Sequence, residues 1–334
     1  MTVALPTVTP IAHPSTGPSS LSTVGATITN LSLASLFDPT VHTFDEARNH
    51  PAFKRVEEAL YRHKVVVIKG QQELGNWPER QFDFVRAFDP CAPGDHGHND
   101  ATASHKGQKS LLYGIGNSIT GHAEVKLVGG GKQGERFGGL ELKQAMDASL
   151  FRTSLPLVTS LLCLRSPSIN PSTGVPRPLL TVKWEGEEAE QHEMQVPAGA
   201  TGFIEDQWSS PSRGNSNGLG TFDDPSSPTN NNTVLEDLPP YDAEKDVKTY
   251  PMAVLELHPR NAPAITDLSL IRRILNQIQL PALRPEYIWA PGYEEGDLVL
   301  FDNRAVYHSA TDYPESWGTR TMLQAHVAAS SDPK

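Results

Sequence analysis

Very little in this 334-residue chain can build a disulfide framework, grip nucleic acid or enter a bilayer. It has two cysteines, Cys91 and Cys163, too few and too far apart for a disulfide scaffold or a structural zinc site. Lys and Arg number 28 against 39 Asp and Glu, a formal net charge of −11, and no long basic run occurs. That excludes the usual electrostatic footprint of nucleic-acid binding. An anionic small molecule would have to meet local positive charge, from a particular arginine or a metal. No stretch of ~18 apolar residues is present, so no membrane span is expected. The opening residues "MTVALPTVTPIAHPSTGPSSLSTVG" have prolines where a secretory leader needs an unbroken apolar segment, and they lack a basic start. Residues 1–22 read as a flexible arm, and the expected compartment is cytoplasmic. Internal repeats are missing too, as is any Gly-x-Ser-x-Gly elbow for a serine nucleophile. "VGGGKQGERFGG" fails the phosphate-loop pattern and reads as a flexible cover. The acidic "EGEEAEQHE" around His192 reads as a solvated hairpin.

Hydrophobic residues make up 37% of the chain, enough for a core, while 26 Gly and 28 Pro favour turns and short strands over a helical bundle. "GATITNLSLASL" (25–36) alternates as a half-buried strand does. "TFDEARNHPAFKRVEEALYRHK" reads as one amphipathic helix burying Phe53, Val56, Leu60 and Tyr61. "VVVIKG" is a buried strand ending in glycine. Residues 89–140 and 208–247 are polar, poor in large apolar residues, and read as loop insertions. Between and after them lie strand patterns in "PLVTSLLCLRS", "PRPLLTVKW", "HEMQVPAGATGFIED", "PMAVLELHP", "GDLVLFDN" and "RTMLQAHVAAS", and a helix at 268–279. The expectation is a mostly β (α+β) fold. It is a single domain over 23–334, an antiparallel double-sheet barrel with flanking helices.

The chemistry gathers near the C-terminus, in "GDLVLFDNRAVYHSATDYPESWGTRTM". A strand such as "GDLVLFDN" can deliver its last residues to a barrel mouth and hold them rigidly. His308 then offers an imidazole nitrogen to a metal, and Arg320 offers a planar cationic fork to a carboxylate. A metal-bound oxoacid needs both. The residues alone also allow a surface histidine, with Arg320 paired to Asp297 or Glu315.

"EEGDLVLFDNRAVYHSATDY…GTRTMLQAHVAAS" closely resembles the C-terminal signature of the taurine dioxygenase (TauD/TfdA) family, and "GATITNLSL…ALYRHKVVVIKGQ" is similar to that family's opening segment. The resemblance runs over about residues 24–331, with 208–247 its weakest part, and the order "GLG…LEDLPP…YPM" is similar to fungal members. It implies a double-stranded β-helix (jelly-roll, cupin-like) barrel and a 2-His-1-carboxylate site for Fe(2+). It also implies 2-oxoglutarate and O2 as cosubstrates, and oxidation of a small organic molecule in fungal secondary metabolism. On that resemblance His308 is the distal iron ligand and Arg320 grips the far carboxylate of 2-oxoglutarate. Thr181, in "LLTVKW", stands where a hydroxyl often supports the cosubstrate.

One position departs from the pattern. The family supplies its other two ligands as His-x-Asp, since alternate strand residues face the same way. Here "KQAMDASLF" matches that motif with Asp147 as the carboxylate and Ala145 in the histidine's place. Alanine has no donor atom. His98 of the literal His98-Asn99-Asp100, His105 and His122 are the substitutes on offer, all in a Gly/Asn-rich stretch. The alternatives left open are an oxygenase using Asp147 and His308, and a non-catalytic relative that keeps the carboxylate site. The substrate and the oligomeric state, a homo-oligomer included, are not written in the sequence.

Overall fold

The computed structural model describes residues 5–11, 24–92, 117–119, 122–132, 141–142, 156–166, 179–185, 190–197, 199–205, 284–310, 318–327 and 329–330, with some strand positions described by their backbone alone. The strands are β1 (Thr7–Pro10), β2 (Ala26–Thr29), β3 (Val65–Ile68), β4 (Asn117–Ile119), β5 (His122–Lys132), β6 (Glu141–Leu142) and β7 (Val158–Arg165). They continue as β8 (Leu179–Glu185), β9 (Gln191–Pro197), β10 (Thr201–Glu205), β11 (Leu298–Asp302), β12 (Val306–Ala310) and β13 (Arg320–His326). Among the described residues four α-helices, α1 (Leu33–Leu36), α2 (Phe44–Asn49), α3 (Pro51–His63) and α4 (Pro78–Arg86), lie between β2 and β4.

Nine of these strands form one sheet in the order β1-β2-β3-β11-β7-β13-β5-β4, with β6 on β5; β10 pairs with β12, and β8 with β9. Every pairing is antiparallel except β2 with β3. The mostly β expectation therefore holds. A closed barrel is not seen among the described residues, because no sheet returns on itself.

Period-two alternation gives the sheet two apolar faces. Val66, Ile68, Leu162, Leu298, Leu300, Leu323 and Ala325 pack with the helices, against Phe53, Val56 and Leu60 of α3 and Phe84 of α4. Their neighbours Val65, Val67, Leu161, Cys163, Val299, Phe301 and Met322 point the other way and pack with Phe203 of β10 and Val306 of β12. The β10–β12 pair thus covers the face away from the helices. Gln81 of α4, fully buried, pins the helix layer to the sheet by donating to Ser160 Oγ (3.0 Å) and the Leu323 carbonyl (2.9 Å).

Several expectations change. The helix read over 43–64 is two helices, because Pro51 has no N–H and holds His50 extended at φ −65°, ψ 137°. Thr43 and Glu46 cap the first reciprocally, and His50 Nδ1 caps the second by accepting from Ala52 N at 3.1 Å. Tyr61, expected on the buried face, is 39% exposed. The 25–36 strand ends at Thr29 and is followed by α1, which starts at the Ser32 cap. Thr7–Pro10, inside the expected flexible arm, is an edge strand on β2. The 89–140 stretch, read as a loop insertion, includes the 11-residue β5 and the short β4. There the glycine run has a structural use. At Gly129, φ +151°, a side chain would meet the Arg320 carbonyl, so glycine lets β13 approach β5 closely. The strand expected at "PMAVLELHP", the helix at 268–279 and the 208–247 insertion lie outside the described residues. Among the described residues no helix is long and apolar enough to cross a membrane.

Candidate active site

His308 sits in the middle of β12, directly opposite Phe203 of β10. Its ring lies 4.6 Å from the Phe301 ring and 6.1 Å from that of Phe203, and it is half-buried. Phe203 is in turn locked by backbone hydrogen bonds to Trp289 in both directions, at 2.8 and 2.9 Å. So the imidazole stands on a paired strand with an aromatic wall on two sides, which fixes where its nitrogens point.

Arg320 is the first residue of β13 and only 7% exposed. It shares the inner face with Met322, and its Nη1 donates to the Gly199 carbonyl at 2.9 Å. Gly199, at φ +68°, belongs to the turn between β9 and β10, closed by Ala200 N donating to Pro197 O at 3.0 Å. Burial of a guanidinium keeps its charge, since arginine does not deprotonate in proteins, so this interior position holds a permanent cation.

Tyr293 and Thr201 complete that corner, and nothing in the sequence pattern marked them. Both are buried, and Tyr293 lies within electrostatic reach of Thr201 and Arg320. Burial pushes the phenol well above its ordinary range, while Thr201 and Arg320 pull in the opposite direction. It therefore stays protonated.

A second polar row crosses the same face. Lys126 of β5 pairs with Gln324 of β13, and His326 pairs with Thr159 of β7. Thr159 Oγ1 accepts from Asn303 Nδ2 at 2.8 Å. Lys126 is 5% exposed, and burial lowers the pKa of its ammonium. Between this row and the Arg320 corner lie apolar residues, Val128, Leu161 and Met322 among them. The inner face thus offers two polar ends with an apolar belt between them, a layout suited to a small molecule with polar termini.

Of the residues singled out in the sequence, His308 and Arg320 are placed on strands of the two facing layers. Thr181 lies in the β8–β9 ribbon opposite Gln195 and is described by its backbone alone. Asp147, Ala145, His98 and His105 lie outside the described residues. His122 opens β5, at its pairing with Ile119, again as backbone only. Among the described residues no group of three or more His, Cys, Asp or Glu side chains converges as a metal site. The visible donor set, one imidazole, does not by itself fit an iron centre. The buried guanidinium does fit one carboxylate of 2-oxoglutarate.

Residues 215–326 match the "Taurine catabolism dioxygenase TauD, TfdA family". The chain is 28% identical over 389 residues to the alpha-ketoglutarate-dependent xanthine dioxygenase xanA of Emericella nidulans, covering 97% of this chain and 96% of that one. The corresponding xanthine dioxygenase xan-1 of Neurospora crassa is 24% identical over 402 residues, with 98% and 88% covered. Among solved structures, AAD-2 in complex with Mn(II) and N-oxalylglycine aligns with a TM-score of 0.47 at 17% identity, over 94% of this chain and 97% of that one. The signature strands β11 to β13 fall in or beside the matched segment, and the chain is similar over nearly its full length to fungal alpha-ketoglutarate-dependent dioxygenases.

Proposed function

We propose that this protein is a non-haem iron, 2-oxoglutarate-dependent dioxygenase acting on a small organic molecule. The observation that carries the reading is Arg320, a buried permanent cation at the start of β13, on the sheet face that the His308 strand covers. The planar fork of an arginine matches a carboxylate in both charge and geometry. The relatives named as alpha-ketoglutarate-dependent dioxygenases over nearly the whole chain support the same cosubstrate. His308 and Asp147 would hold Fe(2+), and Thr181 would support the 2-oxoglutarate. In the overall reaction O2 and 2-oxoglutarate give succinate, CO2 and an oxidised substrate. The two-layer arrangement, with β10–β12 facing the large sheet, supports a double-stranded β-helix barrel that forms one domain with the 208–247 insertion on it. The oxidised molecule is either a purine, as the names of the relatives suggest, or a compound of fungal secondary metabolism.

A second reading is favoured by one residue. Ala145 stands where the family places a histidine, so the protein would keep the carboxylate site without turning over. Purified protein with Fe(II), ascorbate, O2, 2-oxoglutarate and xanthine or another candidate substrate is assayed for succinate, beside Ala145→His. Succinate from the native chain supports the dioxygenase. Succinate from Ala145→His alone supports the non-catalytic reading. If neither protein binds 2-oxoglutarate in calorimetry, the cosubstrate assignment is wrong.

A further inference from the structure

Two histidines in the helix layer meet at the junction of α2 and α3 and have no part in the reading above. His50 ends α2 and starts α3, and its ring centroid lies 5.7 Å from that of His42, edge to face. His50 Nδ1 accepts from Ala52 N at 3.1 Å and so satisfies one of the orphan N–H groups at the start of α3. Only an unprotonated nitrogen can accept that bond. His42 Nδ1 is buried and has no hydrogen-bond partner among the described residues. A proton placed on it would meet no acceptor there.

Positive charge is disfavoured at this junction. The N-terminus of the 13-residue α3 is the positive end of a helix dipole, and two imidazolium rings this close would repel each other. Burial, and after it the neighbouring His42, hold the pKa of His50 below its ordinary 6.5. The charged groups on the packed elements are engaged in bonds of their own. Glu46, within electrostatic reach of His42, accepts from Thr43, and Asp38 accepts from Thr40 and pairs with Arg80. Arg48 donates to the Ala87 carbonyl, Lys54 pairs with Glu57, Arg86 lies over the Phe44 ring, and Asp45 is exposed.

We propose that His42 and His50 form an acid-sensitive fastening of the helix layer: neutral His50 caps α3, and protonation of the pair on mild acidification removes the cap. Helix α3 lays Phe53, Val56 and Leu60 in one core with Val66, Ile68, Leu298 and Leu300 of the sheet, so loosening its first turn weakens the hold of the helices on the sheet. A native state that binds fewer protons than the unfolded chain gains stability as pH rises. The stabilisation is therefore full above 6.5 and fades as pH falls below it.

The full chain is unfolded in urea at about pH 7.5 and about pH 5.5, beside His50→Asn, whose side-chain oxygen can cap α3 without titrating. One such histidine can lower the folding constant by up to about tenfold over this range. His50 is only part-buried, so the native protein is expected to lose about threefold more than His50→Asn does. His50→Ala removes the cap and should be about two- to thirtyfold less stable already at the higher pH. His42→Gln, which cannot charge, should shrink the acid loss, and an undiminished loss there overturns the role of the pair. His50→Asn losing as much as the native chain on acidification overturns the proposal, as does His50→Ala as stable as the native chain at the higher pH.

Discussion

Replacing Arg320 tests the proposed cosubstrate site most directly. At 7% exposure its guanidinium is little screened by water, and its Nη1 donates to the Gly199 carbonyl at 2.9 Å. Truncating one member of a buried, hydrogen-bonded charge pair typically costs about 2–5 kcal/mol, and each 1.4 kcal/mol is roughly a factor of ten. Arg320→Gln should therefore weaken 2-oxoglutarate binding by about 100-fold or more. Arg320→Lys keeps the charge but loses the planar fork and the reach to Gly199, so an intermediate loss of about tenfold is expected. The measurement is isothermal titration with 2-oxoglutarate, with far-ultraviolet circular dichroism showing that each variant is folded. A folded Arg320→Gln that binds within threefold of the native protein would refute the reasoning, because the buried cation would then have no ligand to lose.

Three further outcomes follow from the packing and the titrating groups. Phe53, fully buried between Phe37, Phe84 and Phe88, should cost about 3–5 kcal/mol when cut to alanine, read as a lowered denaturation midpoint with unchanged slope. Gln81→Met, which removes two buried hydrogen bonds while conserving length, should cost about 1–3 kcal/mol; a loss under 0.5 kcal/mol would show that the helix layer does not depend on them. Burial raises the carboxyl of Asp302 above its ordinary 3.8, while its bond from Arg304 N and the nearby Lys64 and Arg304 pull it down. A native state that binds the proton more tightly than the unfolded chain loses stability as pH rises through that raised pKa. Asp302→Asn should thus melt higher than the native protein at pH 7, and the gap should close on acidification towards 3.8. A gap independent of pH would show that Asp302 is not strained by its burial.

Much of the chain was legible because local pattern and tertiary role agree. The runs at Val65–Ile68, 158–163 and Leu298–Asp302 are buried on both faces, the pattern of a central strand. The alternation that fails in helix α3, at Tyr61, fails only at the rim of its apolar face. The placement of His308 and Arg320 on two successive strands was readable from the strand patterns around them. The break at Pro51 was readable in principle, since the residue before a proline resists helix.

Other features lie in contacts between residues far apart in the chain. Residues 122–132 look like loop, with glycines and few apolar side chains, and become a strand because β13 offers a ladder that Gly129 lets come close. Tyr293 and Thr201 are ordinary residues in sequence, separated by 92 positions in number, and come within reach of Arg320 only through the fold. The sequence by itself determined the central apolar strands, the charges on them and that Ala145 brings no donor atom. Which polar side chains face one another across the sheet was decided by tertiary structure, since strand periodicity assigns a side chain to a face and only register assigns it a neighbour.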